Sequence, residues 1–228
     1  MSYIAYIDKT SLVDWDGKIT ATIFLYGCNF RCRYCYNKDL LRTQVGNISI
    51  DDVIRFLSSR MEWLDGVVIT GGEPTIHPDS LINLCEKIKD LGYKIKLDTN
   101  GSNPKVLWSL IDENLIDYVA MDIKWYFDRY HEVVGVRIDP RDLERSVCLL
   151  KSTGIGYEFR TTVLRSMDFY DIINIAKQVA PAKKYVLQAQ VEDGKIVVDR
   201  NTIIEASKYL NRSGWFDEVK IRNSKLTR

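Results

Sequence analysis

The sequence predicts an α/β fold, a partial (open) parallel β/α barrel of about six strand-helix units, and three observations predict it. Runs rich in β-branched and aromatic residues alternate with longer segments whose apolar residues recur at helical spacing. Strand-type runs are followed by loop-forming residues, glycine prominent among them. The 228 residues also fall short of the roughly 250 that a closed eight-unit barrel typically needs. A flat doubly wound sheet is the alternative arrangement of the same elements.

The first strand is read at residues 18–26, Lys-Ile-Thr-Ala-Thr-Ile-Phe-Leu-Tyr, which end at Gly27 and run straight into a cysteine-bearing loop. Residues 51–63 place Val53, Ile54, Leu57 and Met61 at helical spacing, with Ser49, Asp51 or Asp52 as the cap. Val67-Val68-Ile69-Thr70 is a short strand stopped by Gly71-Gly72. A helix at 79–91 then carries Leu81, Leu84, Cys85, Ile88 and Leu91 on one face before Gly92. The cycle repeats with strand 93–98, the turn Thr99-Asn100-Gly101 and helix 104–113. Strand 117–123 and a helix near 140–152 follow, then strand 157–164, helix 169–179, strand 184–190, helix 201–211 and a last strand near 217–222. Parallel strands joined by right-handed crossovers put helices outside and functional loops at the strand C-terminal ends. No linker divides the chain, so residues 1–228 are expected to form a single domain.

Composition excludes several classes. A hydrophobic share of 46% with no apolar run long enough to span a bilayer fits a globular protein, and no membrane partner is expected. The first residues lack the pattern of a secretory signal, so a cytoplasmic location is expected. With 32 basic and 31 acidic side chains there is no global field to attract nucleic acid, and none is expected as a partner. Five cysteines is an odd number, and three of them lie within eight residues, a poor layout for disulfides. Clustered thiols in a reducing compartment usually hold metal.

Those three are Cys28, Cys32 and Cys35, in Gly27-Cys28-Asn29-Phe30-Arg31-Cys32-Arg33-Tyr34-Cys35-Tyr36-Asn37. Three soft thiolates on one short loop suit iron and sulfide, and a four-iron cluster held by three residues keeps one iron open. That is a catalytic design rather than an electron-carrier design. A zinc knot completed by Cys85, Cys148, His77 or His131 is the alternative. Against it, Cys85 and Cys148 sit among apolar neighbours like ordinary buried thiols, and His77 reads as a surface loop residue before Pro78.

With these residues in view, the loop resembles the signature of the radical S-adenosylmethionine superfamily, Cys-x3-Cys-x-aromatic-Cys, with Tyr34 as the aromatic. Gly71-Gly72-Glu73-Pro74, at the end of the next strand, resembles the superfamily's Gly-Gly-Glu-Pro motif. Glycines let backbone approach a ligand closely, and a carboxylate accepts hydrogen bonds from a cationic amine. The resemblance implies that this amine belongs to S-adenosylmethionine, which would chelate the open iron of a [4Fe-4S] cluster held by Cys28, Cys32 and Cys35. It further implies reductive cleavage to methionine and a 5′-deoxyadenosyl radical.

The resemblance covers nearly the whole chain and is greatest to glycyl radical enzyme activating proteins, in particular those of anaerobic ribonucleoside-triphosphate reductase. Ser11-Leu12-Val13-Asp14-Trp15-Asp16-Gly17, Leu97-Asp98-Thr99-Asn100-Gly101-Ser102-Asn103-Pro104, Ala120-Met121-Asp122-Ile123-Lys124 and Tyr157-Glu158-Phe159-Arg160-Thr161-Thr162-Val163 carry it. It implies a monovalent cation at Asp98, Thr99 and Asp122, cofactor contacts from Lys124 and Arg160, and contact between Asp14 and the backbone of a partner's glycine-bearing loop. Gln188 or Gln190 stands where some activating proteins place a cofactor-contacting histidine, and Gln190 is taken as the cofactor contact. Two positions depart from the pattern, since Asp16 replaces the usual proline and Tyr36 stands where histidine is common. The implied partners are a glycyl radical enzyme as protein substrate and a flavodoxin- or ferredoxin-type electron donor. A nucleobase or small-molecule enzyme such as a 7-carboxy-7-deazaguanine synthase is the alternative, and a metal-bound structural module is a third. The segments Asp14 to Gly17 and Asp98 to Gly101 favour the first reading.

Overall fold

A computed structural model describes residues 2–222. Its main sheet has eight strands, which we number in chain order: β1 (Ile4–Ser11), β2 (Thr20–Leu25), β3 (Gly66–Gly71), β4 (Lys94–Thr99), β5 (Tyr118–Asp122), β6 (Gly156–Val163), β7 (Ala182–Ala189) and β10 (Phe216–Arg222). They lie in the spatial order β1-β2-β3-β4-β5-β6-β7-β10. β2 through β7 pair in parallel, the expected six-strand frame, and β10 adds a further parallel strand beside β7. β1 pairs antiparallel with β2 at the other edge. The short pair β8 (Val191–Glu192) and β9 (Lys195–Ile196) forms a separate hairpin after β7.

The helices are α1 (Ile50–Ser58), α2 (Pro78–Asp90), α3 (Pro104–Asp112), α4 (His131–Val134), α5 (Pro140–Ser152), α6 (Phe169–Lys177) and α7 (Arg200–Arg212). Their starts follow from local chemistry. Ser49 with Asp52, and Asp168 with Asp171, form reciprocal capping boxes at α1 and α6. Pro78, Pro104 and Pro140 open α2, α3 and α5, where a missing N–H costs nothing. Helix α1 is shorter than the apolar spacing over 51–63 predicts. It ends at Ser58, and Met61 is exposed in the turn that follows. Neither β1, α4 nor the β8–β9 hairpin is foreseen in the sequence.

Strand alternation separates an apolar core from a charged barrel interior. Along β4, Ile95 and Leu97 join the core that packs the helices, which leaves Lys96 and Asp98 on the opposite face. Along β6, Tyr157 and Phe159 do the same and leave Glu158 and Arg160 inside. Among the described residues, no helix is long and apolar enough to cross a membrane.

Candidate active site

The site gathers at the C-terminal ends of the parallel strands. β2 ends at Leu25, and the chain turns through Gly27 into the cysteine loop. The loop is pinned to its surroundings by backbone bonds: Cys28 N–H to Leu41 O (3.3 Å), Arg31 N–H to Val134 O (2.7 Å) and Cys35 N–H to Cys32 O (3.1 Å). Phe30 lies buried beneath it, edge-on to Tyr130.

The loop after β3 lies directly against it. Gly71 has φ +126°, open to glycine alone, and a Cβ at Gly72 would run into the Gly27 carbonyl oxygen. The Glu73 N–H then donates to Gly27 O at 2.8 Å, and Pro74 opens a single helical turn. The Glu73 carboxylate, 1% exposed, is wrapped by the chain. Its Oε1 accepts from Thr75 N–H (3.1 Å), Thr75 Oγ1 (2.6 Å) and Thr99 Oγ1 (2.7 Å), and its Oε2 accepts from Asn100 N–H (2.6 Å). Burial pushes its carboxyl above the usual range, and these donors work the other way. Asn100 Nδ2 also donates to Asn29 Oδ1 (2.9 Å), while Asn29 Nδ2 donates to Ser102 Oγ (2.7 Å). The cysteine loop, the Gly-Gly-Glu-Pro loop and the loop after β4 are thus one hydrogen-bonded unit.

Across the barrel mouth, Arg160 is clasped by two carboxylates. Its Nη1 donates to Asp98 Oδ2 at 2.7 Å and its Nε to Asp122 Oδ1 at 2.8 Å. Lys124 Nζ holds the other oxygen of Asp122 at 3.0 Å. Burial works against the charged form of Asp122, but Arg160 and Lys124 outweigh it and hold the carboxyl down to about 2. Of the three residues expected at a monovalent cation, Asp98 and Asp122 meet through Arg160, and Thr99 turns to Glu73. Asp98 Oδ1 is buried with no hydrogen-bond partner, and Lys96 Nζ lies 3.8 Å from it.

Gln190 is buried and braces two loops. Its Oε1 accepts from Arg165 N–H (2.9 Å) and its Nε2 donates to Glu192 (2.8 Å). Asp14 lies in the β1–β2 hairpin, at the strand ends away from the cysteine loop. Its Oδ2 accepts from Thr22 Oγ1 at 2.6 Å, and its carbonyl accepts from Lys96 Nζ at 2.6 Å, inside the barrel.

Two minor expectations are corrected. Cys148 is exposed, because α5 buries Leu143, Ser146, Val147 and Leu150 on its other face. His77 is no surface residue, since its ring stacks on Tyr3 at 3.6 Å and its Nε2 lies 2.9 Å from Tyr26 O. Sequence reasoning assigned no role to Lys96 and Glu158, each 1% exposed. The signal was present, since Lys-Ile-Lys-Leu-Asp and Tyr-Glu-Phe-Arg set charges at every second position of apolar strands.

The donor set fits an iron–sulfur cluster with a polar ligand beside it. Cys85 is buried in the core and Cys148 faces solvent on α5, which disfavours a zinc knot completed by either. Three thiols on one loop suit a cluster in which each takes its own iron. Burial pushes Cys28 up to about 11 and raises Cys32 too, with the Lys124 ammonium opposing in both cases. Iron takes thiolates, so loading expels those protons. Tyr34 Oη and Asp98 Oδ1 are buried polar atoms without hydrogen-bond partners, one on the cysteine loop and one at the end of β4. Such orphans are expected where a polar ligand completes the site.

Loops at the C-terminal ends of an open parallel barrel, with three thiols on the first of them, define an α/β enzyme built around an iron–sulfur cluster. The family model of the radical SAM superfamily matches residues 22–185, and the chain belongs to that family, whose enzymes use a [4Fe-4S] cluster and S-adenosylmethionine. It is 37% identical over 190 residues to a Methanocaldococcus jannaschii protein assigned as a glycyl-radical enzyme activating enzyme, covering 81% of this chain and 78% of that one. It is 30% identical over 197 residues to the pyruvate formate-lyase-activating enzyme of Clostridium pasteurianum, covering 82% and 81%. Among solved structures, Streptococcus suis SuiB superposes with a TM-score of 0.68 at 18% identity, covering 88% of this chain and 48% of SuiB. Escherichia coli QueE superposes with 0.54 at 20% identity, covering 93% and 91%. At such identities these two show the fold alone.

Proposed function

We propose that this radical SAM enzyme installs a glycyl radical on a partner enzyme, as the names of its activating relatives suggest. The observation that supports it most is that these relatives, 37% and 30% identical, match 81% and 82% of the chain. With cluster and S-adenosylmethionine bound, the site would supply one-electron cleavage of a carbon–sulfur bond, giving methionine and a 5′-deoxyadenosyl radical able to take a hydrogen atom from the glycine Cα. An electron donor of flavodoxin or ferredoxin type replaces the electron consumed.

The chain's own residues bind and orient. Cys28, Cys32 and Cys35 would each hold one iron of the cluster. Tyr34, Gly71, Gly72, Glu73 and Pro74 shape the wall against the cofactor, and Glu73 keeps an acceptor position on Oε2 beside the one used by Asn100. Asp98 Oδ1 is the acceptor for a hydroxyl, an amine or a monovalent cation. Lys124 and Arg160 set positive charge around the mouth, and Gln190 holds its loop in place. Asp14 waits deeper in the barrel, beside Thr22, as a carboxylate acceptor for backbone N–H groups of an entering glycine loop.

The test mixes reduced protein, S-adenosylmethionine and a candidate anaerobic ribonucleotide reductase, with electron paramagnetic resonance reporting the glycyl doublet. Asp14→Ala is expected to lower the radical formed per deoxyadenosine released. The second reading, a small-molecule enzyme, draws on 37% identity over 93 residues to the 7-carboxy-7-deazaguanine synthase of Halobacterium salinarum. It replaces the first if no glycyl radical enzyme gains the doublet and the deoxyadenosine hydrogen comes from a metabolite.

A further inference from the structure

Asp16 sits in the hairpin between β1 and β2, at one edge of the sheet. Its carboxylate accepts from Lys184 Nζ (2.6 Å) on β7, and from Lys220 Nζ (3.1 Å) and Arg222 Nη2 (3.4 Å) on β10, at the other edge. None of these contacts follows a backbone ladder. They cross the gap where an open barrel fails to close. We propose that Asp16 is a positioning residue that bolts the two edges together and shuts the barrel's open side at the end away from the cysteine loop.

An isolated surface ion pair contributes little, but three cations on one carboxylate, with Lys184 and Arg222 only 12% and 19% exposed, form a network. The network continues inward. Arg222 also grips Glu158 (3.0 and 3.3 Å), Glu158 lies 3.4 Å from Lys96, and Lys96 lies 3.8 Å from Asp98 Oδ1. The same hairpin supplies the Asp14 carbonyl that holds Lys96. A charge ladder therefore runs from the bolt to Asp98 Oδ1 at the mouth. With the lower side shut, substrate reaches the chamber from the rim that carries the cysteines. This placement does not rest on which substrate the enzyme takes.

The experiment is hydrogen–deuterium exchange on the anaerobic holoenzyme. In Asp16→Asn, residues 12–19 and 216–222 are expected to exchange together, about tenfold faster, with α2 unchanged. Asp16→Glu should restore the wild-type rates. Raising salt on the wild type should loosen the same two segments in step. If the hairpin alone quickens, or neither segment responds, the carboxylate ties nothing across the gap and the proposal falls. Should Asp16→Asn fail to fold, Lys220→Gln and the salt series give the same reading.

Discussion

Glu73 Oε2 accepts the Asn100 backbone N–H at 2.6 Å, so the loop after β3 and the loop after β4 share one buried carboxylate. Glu73→Ala should therefore strip partners from Thr75, Thr99 and Asn100 at once. Unsatisfied buried donors cost about 1–3 kcal/mol each. We expect lower stability in chemical denaturation and at least about tenfold weaker S-adenosylmethionine binding by calorimetry, with iron content retained. Unchanged affinity would remove Glu73 from the cofactor wall.

Replacing Cys85 or Cys148 with serine should leave the iron in place, since one thiol is buried in the core and the other faces solvent on α5. Cys32→Ser should lose it. Iron and sulfide assays on the folded variants decide, and loss at Cys148 equal to that at Cys32 would overturn the three-ligand assignment.

Arg160→Gln should leave Asp98 and Asp122 facing each other with only the lysines for company. Breaking a buried pair by removing one partner costs roughly 3–5 kcal/mol, so a clear drop in unfolding free energy is expected. If a monovalent cation occupies Asp98 Oδ1, wild-type cleavage will differ among potassium, sodium and lithium salts at constant ionic strength, and Asp98→Ala will abolish the difference. Equal rates in all salts would exclude the cation.

Acid should weaken the barrel in a defined window. The carboxyls of Asp122 and Glu158 are both held down to about 2, burial being outweighed by Arg160 and Lys124 for the first and by Lys96 and Arg222 for the second. Each contributes stability that is present above its unfolded value near 4 and is lost as pH falls through the folded one. Thermal midpoints of the iron-free chain are thus expected to drop between about pH 4 and 2, and Glu158→Gln should show a shallower drop.

Much of this was legible in advance. The parallel strands, and the placing of the cysteine loop (residues 28–35) and Glu73 at neighbouring strand ends, could be read because spacing and turn residues act locally. β1 escaped notice because its pairing with β2 is what makes it a strand, and only Ile4 and Ser11 along it are buried. Met61 continued an apolar period that the helix did not follow. The roles of Lys96, Glu158 and Arg222 depend on which strands become neighbours across the barrel, something no window of adjacent residues contains.

The exposed Cys148 thiol lies on α5, on the face opposite Leu143, Val147 and Leu150. In air, two such thiols on different molecules can be oxidised by dioxygen to an intermolecular disulfide, their electrons and protons passing to the oxygen. A covalent dimer seen without reductant would therefore record sample history rather than biology. For the same reason the side chain is a convenient handle, since a spin label or fluorophore attached after cluster assembly would report partner docking from a position the chemistry does not use.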